Sequence, residues 1–406
     1  MVLSLLKIFS GGVTLHSRVR INFWNGWTGP DGVAMLDVIR QFNKENPDIE
    51  ISMQRMDWGT YYNKLMVSAM SHRGPEVFVI HASTLPRMVR AGFVADVADL
   101  YGPRFGIEKS DFTQRILEPV EYGDKMVGLP LDVHPQGLYC DADLLAKAGV
   151  THPPRTGEEF LADIKATQQV DANGNHEVWG FTWTMWRNNF MSLVPQFGGR
   201  YFDENGNPDM ANPANVAAME YMGDLTKTKL LPAPESNTTW TGFRQKKVAM
   251  VWEGVYMLGD LKTLEDFHAI GAPIPQIGPY KGTLADSHCL CLRADLTGAE
   301  RDAAEKFVAY LSQHSLEWAK AGQVPARTSI RESAGFKALP IQSGFAEEVP
   351  YVTYPPRSPL LFELTQEIDV AVEKVLRGRA TAKDALTTAN QNMIEAVKRD
   401  KEENQD

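Results

Sequence analysis

Residues 18–80 carry the pattern that most restricts what this chain can fold into. Val19, Ile21 and Phe23 alternate with polar positions as in a half-buried strand, and Trp24-Asn25-Gly26-Trp27-Thr28-Gly29-Pro30-Asp31-Gly32 then breaks the alternation. Asp31 is expected to cap a helix whose apolar face holds Met35, Leu36, Ile39 and Phe42 and which stops at Asn46-Pro47. Ile49, Ile51 and Met53 alternate again. A second helix carries Tyr62, Leu65, Met66 and Ala69 as far as Gly74-Pro75, and Val77-Phe78-Val79-Ile80 is apolar throughout, as a strand covered on both faces must be. Strand, helix, strand, helix, strand is the start of a parallel sheet. Such sheets bind ligands beyond the carboxyl ends of their strands, here Asn25 to Gly32 and His81-Ala82-Ser83.

The chain has 406 residues, more than one hydrophobic core usually spans, so two lobes are expected. Further along, Gly123 to Pro130 has the form of a hairpin, Leu131 to Tyr139 is extended but interrupted by Pro135, and Asp141 starts a helix. Residues 171–175 and 203–207 are Asn-Gly turns. An EF-hand reading of the first fails, because Gly174 occupies loop position 4 where the glycine belongs at position 6. Val248 to Trp252 forms a buried strand, and Pro273 to Pro279 is expected to carry the chain from one lobe to the other. Helical periodicity follows at Ala303 to Leu311, Ser315 to Ala321, Glu363 to Leu376 and Thr381 to Val397.

A formal net charge of -10 disfavours a nucleic-acid partner, whose phosphates are held by clustered Lys and Arg. Cys140, Cys289 and Cys291 are an odd number without metal-ligand spacing, so buried thiols are expected rather than a disulfide framework or a zinc site, and neither metal nor cofactor is called for. No GxSxG, HExxH, GxxxxGK[ST] or strand-following GxGxxG occurs, which shifts the balance from catalysis toward binding. No apolar run reaches the roughly 20 residues of a membrane span. Met1 to Leu6 is apolar but short, lacks a basic region before it and is followed by Lys7, a poor match to a signal peptide; residues 1–17 are expected to be a poorly ordered leader or tail.

Sugar sites combine aromatic faces, which cover the C–H side of a pyranose, with planar polar groups that bond its hydroxyls. Trp24 and Trp27 flank the end of the first strand, Trp183 and Trp186 follow Phe181, and Trp252, Glu253 and Tyr256 follow the Val248 strand. Any one of these tryptophans taken alone is better explained as core filling. Asp132, His134 and Gln136 alternate, so a strand presents all three on one face and points to a wet cleft.

These residues stand within a longer resemblance. Phe42-Asn43-Lys44 before Pro47, the Gly123 to Pro130 hairpin, Leu138 to Leu144 leading to Ala148-Gly149, and Pro154-Arg155-Thr156 before Glu159 occur in an order that continues with Gly198-Gly199, Phe243 to Met250 and Gly322 to Arg327. In this the chain after residue 18 resembles the extracellular solute-binding proteins, family 1, of ABC importers, the group that includes maltose-binding protein. The resemblance implies an α/β type II periplasmic-binding-protein fold: two lobes, each a mainly parallel sheet flanked by helices, closing around a sugar. It implies lobes of 18–132 with 284–327 and 133–283 with 328–406, and hinges near Asp132 to Gln136, Lys281 to Ser287 and Arg327 to Ser329. Implied partners are a carbohydrate and a membrane permease. The implied protein is a monomer that performs no chemistry, placed in the periplasm or outside the cell, with or without a lipid anchor. Carried over by position, cleft contacts fall near Trp27, Ser83, His134, Trp186 and Tyr256. The sequence departs from the pattern at His134, where maltose-binding protein has an acid, and at Cys140, where a tyrosine is usual.

Two other readings remain open from sequence. A sugar phosphate or other anionic solute needs cations in the cleft, for which Arg187 and Arg327 are the candidates. A carbohydrate-active enzyme needs two facing carboxylates, for which Asp132 and Glu253 are the only pair.

Overall fold

The computed structural model describes residues 18–71, 73–234 and 239–404, so the expectation for residues 1–17 lies outside the described residues. Strand β1 (Val19–Asn25), helix α1 (Pro30–Glu45), strand β2 (Ile49–Arg55), helix α2 (Trp58–Met70) and strand β3 (Val77–His81) follow the expected order. β1 lies between β2 and β3 and is parallel to both. The sequence reading placed Asp31 at the cap of α1, but the helix starts one residue earlier, with Gly29 at the cap and Pro30 as its first residue. A proline there has no N–H to satisfy and its φ is already helical. Asp31 instead sits in the first turn, accepting from the Gly32 N–H at 2.7 Å.

Two strands from later in the chain complete this five-stranded sheet: His288–Leu292 runs antiparallel to β3, and Leu129–Pro130 pairs with its far edge. A second, larger sheet is built around the ten-residue strand Asp132–Asp141, buried at every position. Along one edge of this crossing strand Val324–Pro325 pairs with Asp132 and Val133, and Val248–Gly254 pairs from Gln136 to Cys140. Along the other lie Thr283–Asp286 and Ala269–Ala272. Pro135 falls in the gap between the two partners of the first edge, where that ladder is already interrupted.

The prolines of Pro273 to Pro279 do not carry the chain between sheets. Ala269–Ala272 before them and Thr283–Asp286 after them both pair with the crossing strand, and the prolines interrupt that ladder without leaving the sheet. The passage occurs instead at Ser287, between Asp286 in the larger sheet and His288 in the smaller.

Strand alternation gives the crossing strand two different surroundings. Leu138 and Cys140 join Met250, Trp252, Phe160 and Phe181 in a core covered by the C-terminal helices Leu361–Leu376 and Ala382–Glu403. Tyr139 and Val251 on the other face pack with Phe243 and Phe345 in a core continuous with the one around β1 and β3. The three cysteines are buried thiols, Cys140 in the first core and Cys289 and Cys291 in the second.

Candidate ligand-binding site

A cavity of about 580 Å³ opens where β1, β3 and the crossing strand converge. Its aromatic wall comes from α2. Trp58 and Tyr62 are four residues apart and so share a helix face; their rings stack at 5.6 Å with 27° between planes. Trp58 comes close to the backbone at Gly26, where a Cβ would lie 2.1 Å from the indole. Only glycine at that strand end lets the ring lie flat. Tyr256 forms another part of the wall, and Gly254 makes room for it in the same way, a Cβ there falling 2.0 Å from the phenol ring.

The floor holds three histidines that the strand register brings together. His288 lies directly opposite His81 on antiparallel strands, and His134 lies opposite Asp286, so residues far apart in the chain share one face. Ring centroids are 4.9 Å apart for His81 and His288, 4.6 Å for His134 and His288, and 5.5 Å for His81 and His134. Asp132 lies fully buried behind them. It accepts from the His288 backbone N–H at 2.8 Å and the Trp318 indole at 2.6 Å, and lies 2.7 Å from Nδ1 of His288 and 3.4 Å from Nδ1 of His134. Burial alone would raise its pKa, but the interactions with His288 and His134 outweigh burial and hold the carboxyl well below its ordinary range. Burial first, and then the neighbouring His288 and His134, push His81 well below the ordinary histidine range.

Polar groups at the rim include Ser83, whose hydroxyl and backbone N–H both donate to Asp286. Burial raises the pKa of both Asp286 and Asp31. Gln136 and Gln323 are nearly inaccessible residues on the cavity wall, and the side-chain oxygen of each has no hydrogen-bond partner among the described residues. Among the described residues, Arg187 is the only Lys or Arg in the lining, and it is already ion-paired with Asp369 at 2.5 Å.

Of the residues singled out by sequence, Trp27, Ser83, His134, Gln136, Tyr256 and Arg187 line the cavity, and Asp132 supports it from behind. Trp183 and Trp252 do not reach it. They are opposite each other on adjacent parallel strands, with rings 5.3 Å apart on the helix-covered face, so alternation turns both into the core. Trp186 begins a helix and also faces away, beside Trp183 and Leu376. Glu253 lies buried outside the lining, accepting from the Gly254 N–H at 3.0 Å, and its carboxyl is raised by burial. Arg327 pairs with Asp111 at 2.7 Å, away from the cavity. The reading from sequence passed over Trp58 and His288 and named Tyr62 only as a residue of the second helix; the four-residue spacing of Trp58 and Tyr62 was the available signal for that pair. Nothing local marks His288, which reaches the site only through its pairing with β3.

The description "bacterial extracellular solute-binding protein" attaches to a family model that matches residues 37–342. The chain belongs to this family. A maltotriose-binding protein of Pyrococcus abyssi is 23% identical to this solute-binding protein over 82% of the chain and 72% of its own length. An arabinooligosaccharide-binding protein of Bacillus subtilis is 24% identical over 53% of the chain and 50% of its own length. Among solved structures, the sugar-binding protein MalE of Xanthomonas citri superposes with a TM-score of 0.82 at 18% identity, covering 96% of this chain and all of that one (100%). That likeness establishes the fold, the two-lobed type II periplasmic-binding-protein architecture. In the solute-binding protein no described helix is long and apolar enough to cross a membrane.

Proposed function

We propose that this solute-binding protein holds a mono- or oligosaccharide in the cavity, closes its lobes around it and presents the closed form to the permease of an ABC importer. The observation that carries this reading is the composition of the wall. Aromatic faces from Trp58, Tyr62 and Tyr256 stand beside two buried amide oxygens, of Gln136 and Gln323, that lack donors. A buried acceptor without a donor costs about 1–3 kcal/mol, which a ligand hydroxyl relieves. Aromatic faces with hydroxyl-seeking amides are the chemistry of a pyranose, and the names of the relatives agree with it.

The two lobes are built on the two sheets, and the chain segments that pass between them, Ser287 among them, act as hinges. Each lobe contributes to the wall, so a ligand binds the closed form better and shifts the population toward it. The protein works outside the cytoplasm and does no chemistry on its cargo. Support for the last point is that Asp132 is engaged by His288, His134 and Trp318, and that neither carboxyl of the one nominated pair, Asp132 and Glu253, is among the residues lining the cavity. An anionic solute finds little support, because Arg187 and Arg327 are both already ion-paired.

The deciding experiment is a thermal-shift screen of the purified protein against mono- and oligosaccharides, polyols and sugar phosphates, beside a glycosidase assay. A raised melting temperature with one neutral sugar class and no turnover supports the reading. Hydrolysis, or a shift only with sugar phosphates, overturns it.

A further inference from the structure

Three imidazoles meet at the cavity floor in a way that sugar binding does not require. The ligand-capable nitrogens of His81, His134 and His288 all lie within 4.8 Å of one another. Each ring is held through Nδ1: His81 by the Tyr62 hydroxyl, His134 and His288 by the two oxygens of Asp132. This leaves Nε2 of each ring as the nitrogen that these groups do not engage. On His81 and His134 no hydrogen bond reaches it among the described residues, and on His288 it accepts a long 3.2 Å bond from the Trp27 indole. A ring fixed on one nitrogen by a carboxylate or hydroxyl with the other nitrogen presented inward is how proteins orient metal-binding histidines.

We propose that His81, His134 and His288 bind one divalent transition-metal ion of the zinc class through their Nε2 atoms, with a fourth coordination position open to the cavity. Three nitrogens and no thiolate select zinc, cobalt, nickel or copper over calcium and magnesium, which require oxygen ligands. Metal–nitrogen distances of about 2.0–2.1 Å place tetrahedral ligand atoms about 3.3 Å apart. Side-chain rotation closes the present triangle to that spacing, with His288 releasing Trp27. The indole lies against Trp318 at a centroid distance of 4.5 Å and stays packed without that bond. Asp132 then serves as the outer carboxylate for two of the three ligands. Tyr256 and Gln136 line the same cavity as the three histidines, so an oxygen of the cargo held there can complete the shell.

The test uses the full chain stripped with a chelator and dialysed into metal-free buffer, with zinc chloride and cobalt chloride as probes and no sugar present, so its outcome is independent of the sugar reading. The expected result is one zinc per chain retained after gel filtration, and with cobalt the intense visible absorption of a four-coordinate site. His134→Gln and His81→Gln each weaken zinc binding at least 100-fold, while His268→Gln, a change at an exposed histidine paired with Asp143, leaves it unchanged. Because the stoichiometry is read on the unmutated protein, a variant that fails to fold does not decide the matter. Absence of stoichiometric zinc in the unmutated chain, or full binding by a folded His134→Gln, overturns the proposal and leaves the histidines as partners of Asp132 alone.

Discussion

Two aromatic residues four positions apart, Trp252 and Tyr256, illustrate how far composition reaches. Both follow from the same strand, yet Trp252 is fully buried between Phe160 and Trp183 while Tyr256 stands on the cavity wall. Trp252→Ala is therefore expected to cost about 3–5 kcal/mol in urea unfolding. Tyr256→Ala is expected to leave unfolding nearly unchanged and weaken sugar binding about tenfold or more, about 1.4 kcal/mol, in a calorimetric titration. Gly26→Ala makes the complementary case: the added methyl displaces Trp58, so affinity falls by a similar factor while the circular dichroism spectrum stays the same. Sequence marked Trp252 and Tyr256 with equal weight because both follow one apolar strand. What separates them is strand alternation ending at Gly254, and the 3-10 turn after it that swings Tyr256 back over the glycine.

Among elements, the crossing strand Asp132–Asp141 and its supports carry the most consequence. Helix Gly157–Thr167 sends Phe160 and Ile164 under the sheet and is fixed at its start by a capping box between Thr156 and Glu159. Thr156→Ala is expected to cost about 1 kcal/mol in chemical denaturation, since the Glu159 N–H loses its acceptor. On the sheet's other side Glu348 is fully buried, its Oε1 accepting from the Ile274 N–H at 2.9 Å. Burial raises its pKa well above the ordinary value of 4.5. A carboxyl whose folded pKa is raised binds its proton more tightly when folded, so stability is intact below about pH 4.5 and declines as pH rises through the range above it. Glu348→Gln cannot ionise. Its stability relative to the parent is expected to increase as pH rises above about 4.5 in urea titrations, and a difference that is flat with pH contradicts this assignment. The strand itself was legible as an extended segment with three polar residues on one face. Its position as the spine of the larger sheet was not, because pairing partners drawn from residues 248–254, 269–272, 283–286 and 324–325 leave no mark within the strand.

At the scale of the whole molecule the cavity depends on segments that meet only after both sheets form. A ligand bound solely to the folded protein stabilises it by about 2.7 kcal/mol at a hundredfold excess over Kd, which for a chain of this size corresponds to a rise of about 3 °C in Tm. The same ligand is expected to reduce the radius of gyration in small-angle scattering, since closure brings the lobes together; a Tm rise without compaction would place binding in an already closed form. The sequence by itself determined the β1-α1-β2-α2-β3 start, the size that calls for two lobes, the family, and the cavity positions of Trp27, Ser83, His134 and Tyr256, because local periodicity and ordered short motifs record those. Tertiary structure alone decided that Trp183 and Trp252 fill the core and that the chain changes sheets at Ser287 rather than at its prolines. It also decided that His288 stands beside His81 and His134. Register between strands far apart in sequence is set by pairing and burial over the whole sheet, and no local window of residues contains it.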